Sequence, residues 1–110
     1  MYNKITRIAP VALSTAEITQ NLKKSTLWRL ENNALSRDFV LRDFESTWGF
    51  LTQVSMRSHI WGHHPTITTT YNKVRIELTT HDVGGISNID FKLAKKIDGF
   101  AELYSNHTQG

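Results

Sequence analysis

The chain contains no cysteine, only two prolines among 110 residues, and no apolar run that approaches a membrane span. Without cysteine there is no disulfide framework, no thiolate nucleophile and no cysteine-ligated zinc site, which suits a reducing compartment. The apolar stretch near the start, Ile8-Ala9-Pro10-Val11-Ala12-Leu13, is too short and too interrupted for a signal-peptide core. The chain therefore reads as a soluble intracellular protein of the cytoplasm, with the nucleus as a second location. A phosphate-cradling glycine loop is also lacking, since Gly84-Gly85 is a lone pair that reads as a turn, and no GxSxG nucleophile elbow occurs. Neither sign of charge dominates: thirteen basic and ten acidic residues leave a net charge of +3. The basic residues are scattered, with Lys23-Lys24 and Lys95-Lys96 the only adjacent pairs, so direct nucleic-acid binding is not expected. The length suits one domain over 1–110 with a single core.

What is present organises into a clear order of elements. Residues 1–13 have no hydrophobic period and read as a flexible arm. Ser14-Thr15-Ala16-Glu17 has the spacing of a capping box and predicts a helix over 14–24. The short runs at 27–30 and 39–41 predict two strands joined tightly around Asn32-Asn33. From Asp43 as N-cap, Phe44, Trp48, Leu51 and Val54 recur at spacings of three and four, which predicts a helix to about 61 buried along that face. Gly62 then ends the helical run and Pro65 biases His64 away from helical geometry. Ser87-Asn88-Ile89-Asp90 is a second capping box with Ile86 and Phe91 as its staple, ahead of a stripe of Leu93, Ile97, Phe100 and Tyr104. The resulting order, α-β-β-α-β-β-α, predicts an α+β domain with a four-stranded antiparallel sheet and helices packed on one face.

Between the last two helices lies HHPTITTTYNKVRIELTTH, residues 63–81. With Asn72 and Lys73 as a two-residue hairpin loop, Ile67, Tyr71, Val74, Ile76 and Leu78 share an apolar face, and His64 stands directly opposite His81. Paired residues have Cβ atoms roughly 5 Å apart, close enough for two imidazoles to act on one small molecule. His59 and His63 have the HxxxH spacing of a helical metal site, but there is no HExxH frame and no cysteine, so metal catalysis is not expected. Ordinary surface histidines and a proton-transfer cluster both remain open on these residues alone. Histidine titrates near neutrality, which suits the second.

The wider spacing carries a resemblance. His59, three residues, His63-His64-Pro65, five residues, Tyr71, nine residues, His81, eight residues and Asp90 together resemble the signature of the pterin-4a-carbinolamine dehydratases, also called 4a-hydroxytetrahydrobiopterin dehydratases. Trp28, Arg37-Asp38-Phe39, Tyr71-Asn72-Lys73-Val74, Thr80-His81-Asp82, Gly84-Gly85 and Leu93-Ala94 extend it over 28–98. The resemblance implies a compact α+β subunit that forms homodimers or homotetramers and needs no metal or organic cofactor. It also implies a hydro-lyase that removes water from 4a-hydroxytetrahydrobiopterin to give quinonoid dihydrobiopterin in tetrahydrobiopterin recycling. Loss of that hydroxyl needs an acid for the leaving oxygen and a base for the N5 proton. By position, His63 and His81 would be general acids and His64 a pterin-binding residue that assists as base. His59, Gly62, Thr79, Thr80 and Asp82 would complete the pterin pocket, while Asp90 reads as a capping acid. His59 stands where many members carry an acidic residue, and Gly62 where a polar one is commoner. Two other functions stay open: vertebrate relatives also serve as dimerisation cofactors of a homeodomain transcription factor, and a different pterin, linked to molybdopterin metabolism, could be the substrate.

Overall fold

The computed structural model describes residues 9–105. Ser14 Oγ accepts the Glu17 N–H at 3.1 Å and Glu17 returns a carboxylate oxygen to the Ser14 N–H at 2.8 Å. This reciprocal cap starts helix α1 (Thr15–Lys24), which leans Ile18 and Leu22 on the core without fully burying any residue. Strands β1 (Arg29–Glu31) and β2 (Ala34–Val40) are joined by Asn32-Asn33, both at positive φ (52° and 60°). Asparagine tolerates that region, and two such residues give the hairpin the twist its strands require. Asp43 caps helix α2 (Phe44–Trp61) by accepting the Ser46 N–H at 2.7 Å. Strands β3 (Thr66–Thr70) and β4 (Lys73–Leu78), a short 3-10 turn (His81–Val83) and helix α3 (Asn88–Tyr104) complete the chain.

All strand pairs are antiparallel, in the spatial order β1-β2-β4-β3. Leu35, Phe39, Val74, Ile76 and Leu78 point from the sheet onto Phe50, Leu51 and Val54 of α2 and Leu93, Ala94 and Ile97 of α3. On the opposite face Asp38 accepts from Arg75 at 2.9 Å and from Arg29 at 3.1 Å. The alternation along β2 and β4 thus gives one apolar and one charged face, the α+β layering that the element order predicts. Part of the arm is docked: Leu13 N–H bonds the Ile86 carbonyl, and Ala12 bridges Ser87 antiparallel. Residues 1–8 lie outside the described residues.

Two expectations need correction. Leu51 and Val54 are buried in α2, but they share that face with Thr47, Phe50 and Ser58, whereas Phe44 and Trp48 are about half exposed. Successive helical residues turn by about 100°, so Trp48 lies well round the helix from Thr47, and Phe44 stacks instead on Tyr71 at 6.5 Å. The second correction concerns the hairpin. Its loop is Tyr71-Asn72, with Thr70 paired to Lys73 and Thr66 to Glu77. Asn72 is held to the end of β2 twice, by the Leu41 N–H on its carbonyl (2.8 Å) and by its own amide on the Leu41 carbonyl (3.1 Å). That anchor makes Tyr71 (φ 52°) the first loop residue and moves it out of the apolar face. Because the shift amounts to two in the pairing sum, Val74, Ile76 and Leu78 keep their buried side. His64 and His81 do not pair, since β3 begins at Thr66 and β4 ends at Leu78.

Phe50 is wholly buried between the sheet and α2. Phe50→Ala should lower unfolding free energy by about 3–5 kcal/mol, read by urea denaturation. The Ser46 N–H, with the Ser46 hydroxyl behind it, holds the Asp43 carboxyl below its ordinary value. A depressed carboxyl stabilises the fold while ionised, so its contribution is present above the unfolded value and is lost as pH falls through the lower folded one. Asp43→Asn should therefore flatten part of the acid-side decline in melting temperature.

Candidate active site

The end of α2 aims the site. Gly62, at φ 67°, gives its N–H to the His59 carbonyl at 3.0 Å, and His63 gives its N–H to the Ser58 carbonyl at 2.9 Å. These are the two bonds of a Schellman cap, which reverses the chain at a residue without Cβ and delivers His63 inward. His63 is largely buried, and its Nε2 lies 2.6 Å from Oδ1 of Asp90. Asp90 is fully buried, and its Oδ2 accepts the Ser87 N–H and the Thr80 hydroxyl, each at 2.8 Å. Thr80 has one hydroxyl proton and spends it on the carboxylate, so the Ser87 hydroxyl 2.7 Å away donates to Thr80. The carboxyl can be buried here because both its oxygens have partners. The pairing orients His63 and leaves Nδ1 as its second proton-exchanging nitrogen.

Across from this wall, Thr80 bridges Gly85, and Gly84 in the left-handed region closes the His81–Val83 turn through its N–H on the His81 carbonyl at 3.0 Å. The Thr79 hydroxyl is tied to the Asn33 carbonyl at 3.0 Å. Between the two walls lies a cleft of 260 Å³ lined by Gly62, His63, His64, Thr79, Thr80, His81 and Asp82. Of the residues that the sequence nominates, His59 alone does not line it. Its ring meets His64 instead, Nδ1 to Nε2 at 3.4 Å. His64 and His81 are exposed on the cleft rim. A larger groove of 580 Å³, lined by Trp61, Lys92, Lys95, Lys96, Gly99 and Phe100, has no imidazole or carboxylate for proton exchange near neutrality. The residue that sequence reasoning undervalued is Asp90: one oxygen does the capping, while the other meets a side chain 27 positions earlier, and no local spacing signals that.

Comparison with known proteins fits this geometry. The profile of the pterin 4 alpha carbinolamine dehydratase family matches residues 11–100. The chain belongs to that family of hydro-lyases. Among its relatives is a Saccharomyces cerevisiae protein provisionally named a pterin-4-alpha-carbinolamine dehydratase, 41% identical over 116 residues that span 93% of this chain and 97% of the yeast one. A Chloroflexus aurantiacus protein with the same provisional name is 46% identical over 86 residues, covering 78% of this chain and 92% of its own. The crystal structure of a transcriptional coactivator/pterin dehydratase from Brucella melitensis superposes with a TM-score of 0.80 at 29% identity, over 83% of this chain and 99% of that one.

Replacing Asp90 by alanine leaves the buried Ser87 N–H without its acceptor and the Thr80 hydroxyl with the Ser87 hydroxyl alone. A buried group left unpaired costs about 1–3 kcal/mol, so Asp90→Ala should lower the midpoint of urea denaturation clearly.

Proposed function

We propose that this cleft dehydrates 4a-hydroxytetrahydrobiopterin to quinonoid dihydrobiopterin, in tetrahydrobiopterin recycling, by histidine acid/base catalysis without a metal or organic cofactor. The observation that carries the reading is the convergence of His63, His64 and His81 from two separate segments on one small cleft. Its 260 Å³ lies just below the usual range of ligand sites, about 300–1,000 Å³, so it suits a small ring system held at an open rim. In the reaction the C4a–O bond breaks as an acid protonates the departing oxygen, water leaves, and a base takes the N5 proton as the C4a–N5 double bond forms. His63 and His81 serve as acids at the two walls and His64 as the base. Asp90 steadies His63 by accepting its Nε2 proton, which fixes the ring and turns Nδ1 away from the carboxylate. Gly62, Thr79, Thr80 and Asp82 shape the pocket around the ring, and His59 supports it through His64.

Self-association into dimers or tetramers belongs to the same reading and would draw on the exposed Phe44, Trp48 and Met56 of α2. No helix among the described residues is long and apolar enough to cross a membrane, which fits the proposed cytoplasmic setting. A second reading, a protein-binding coactivator, has support in the name borne by the Brucella melitensis neighbour. It leaves the imidazole cluster without a task.

The deciding experiment follows the ultraviolet absorbance of freshly generated 4a-hydroxytetrahydrobiopterin. Wild-type protein should speed its decay, and should do so equally after EDTA treatment. His63→Ala and His81→Ala should each lose about 10²-fold or more of that acceleration while keeping the wild-type circular dichroism. A wild type no faster than the spontaneous reaction would turn the assignment toward the coactivator role or another pterin.

A further inference from the structure

Among the described residues, His59 and His64 are the two imidazoles whose rings face each other outside the Asp90 network. Their facing nitrogens are 3.4 Å apart, and their ring planes are inclined at 49° with centroids 5.6 Å apart. That separation is long for a hydrogen bond, which prefers about 2.7–3.2 Å between nitrogen and its acceptor. Two imidazole nitrogens bound to one tetrahedral Zn²⁺ at about 2.0–2.1 Å stand roughly 3.3–3.4 Å apart. The pair therefore already has the span of a shared cation.

We propose that His59 and His64 form a two-imidazole site for a borderline divalent cation such as Zn²⁺, Cu²⁺ or Ni²⁺, and that its occupation withdraws His64 from the pterin cleft. The second half rests on the reading of His64 as part of the dehydratase site. Three further features support the first half. The backbone is set in advance: the His59 carbonyl is held by the Gly62 N–H, the His63 N–H is tied to Ser58, and Pro65 restrains His64 from the other side. His59 lies in the last turn of α2, where the helix dipole favours positive charge. Both rings are exposed, and among the described residues neither has another hydrogen-bond partner, so a cation reaches both nitrogens from solvent without displacing a structural contact.

The donor set also limits the site. Among the described residues no group of three or more histidine, aspartate or glutamate side chains could hold a metal. Two imidazoles and water give reversible binding, well short of the affinity of a closed structural zinc centre. Such a site acts as a brake set by free metal: it leaves His63 and Asp90 in place and captures only the exposed His64. Without an imidazole at position 59 the pair is lost, so the brake depends on His59.

Calorimetric titration of zinc chloride into metal-free, full-length protein tests the site directly. Wild type should bind one zinc per chain, His59→Ala and His64→Ala should each weaken that binding by about tenfold or more, and His81→Ala should retain it. In the pterin assay zinc should slow wild type reversibly, with EDTA restoring the rate. His59→Ala, measured against its own metal-free rate, should have lost most of that sensitivity. Zinc affinity that persists in both the His59 and His64 variants overturns the site. Binding without inhibition in an active wild type overturns the brake. Should wild type show no dehydratase activity even without zinc, the functional assignment has failed, and the calorimetry still decides the site.

Discussion

One buried carboxylate joins three parts of this fold. Asp90 begins α3, caps it through the Ser87 N–H, holds the exit of β4 through the Thr80 hydroxyl, and faces His63 just beyond α2. A charge taken wholly out of water is tolerated only where every lone pair is matched, so these segments must arrive together or the carboxylate is left uncompensated. The requirement that satisfies Asp90 also fixes the ring of His63. The cleft then needs little more than the two glycines that turn the chain, Gly62 after α2 and Gly84 after the His81–Val83 turn, both at positive φ.

The rest of the molecule keeps those segments in register. The sheet packs its apolar face on α2 and α3 through Phe39, Ile76, Leu78, Phe50 and Leu93. Asp98 of α3 accepts from the Trp28 indole at 2.8 Å and from Arg37, whose guanidinium lies over Phe39, so the far end of α3 is tied to β1 and β2 as its near end is tied to β4. With both ends of α3 fixed, Asp90 has little freedom to move relative to Thr80. On the open face, the Arg75 and Arg29 partners of Asp38 sit in solvent, where ion pairs contribute little to stability but keep that face polar.

Two residues at the end of α2 act locally. Gly62 suits its left-handed backbone better than any residue with a side chain, because a Cβ there would crowd the carbonyl, and the turn it makes aims His63. His59 places an imidazole at the end of α2 and meets His64 rather than lining the cleft. That contact lies on the rim, apart from the buried Asp90–His63 pair.

Local chemistry was legible in the sequence because it acts over a few residues. Ser14 with Glu17, Ser87 with Asp90, Asp43 ahead of α2, and Asn32-Asn33 between two strands each declare a cap or turn within four positions. The spacing from His59 to Asp90 likewise declared the family and the residues of the cleft. Tertiary structure decided what depends on distant partners. Leu41 anchors Asn72 and so sets the hairpin loop one residue earlier than the turn chemistry implied. The sheet chooses which arc of α2 it covers, leaving Phe44 and Trp48 exposed although their spacing matches a buried stripe. Asp90 became a partner of His63, and His59 of His64, only when a chain reversal at Gly62 brought them within bonding reach. A periodic pattern states that a face is apolar and a cap that a helix begins; which groups finally meet depends on how rigid elements pack, and that information is spread over the whole chain.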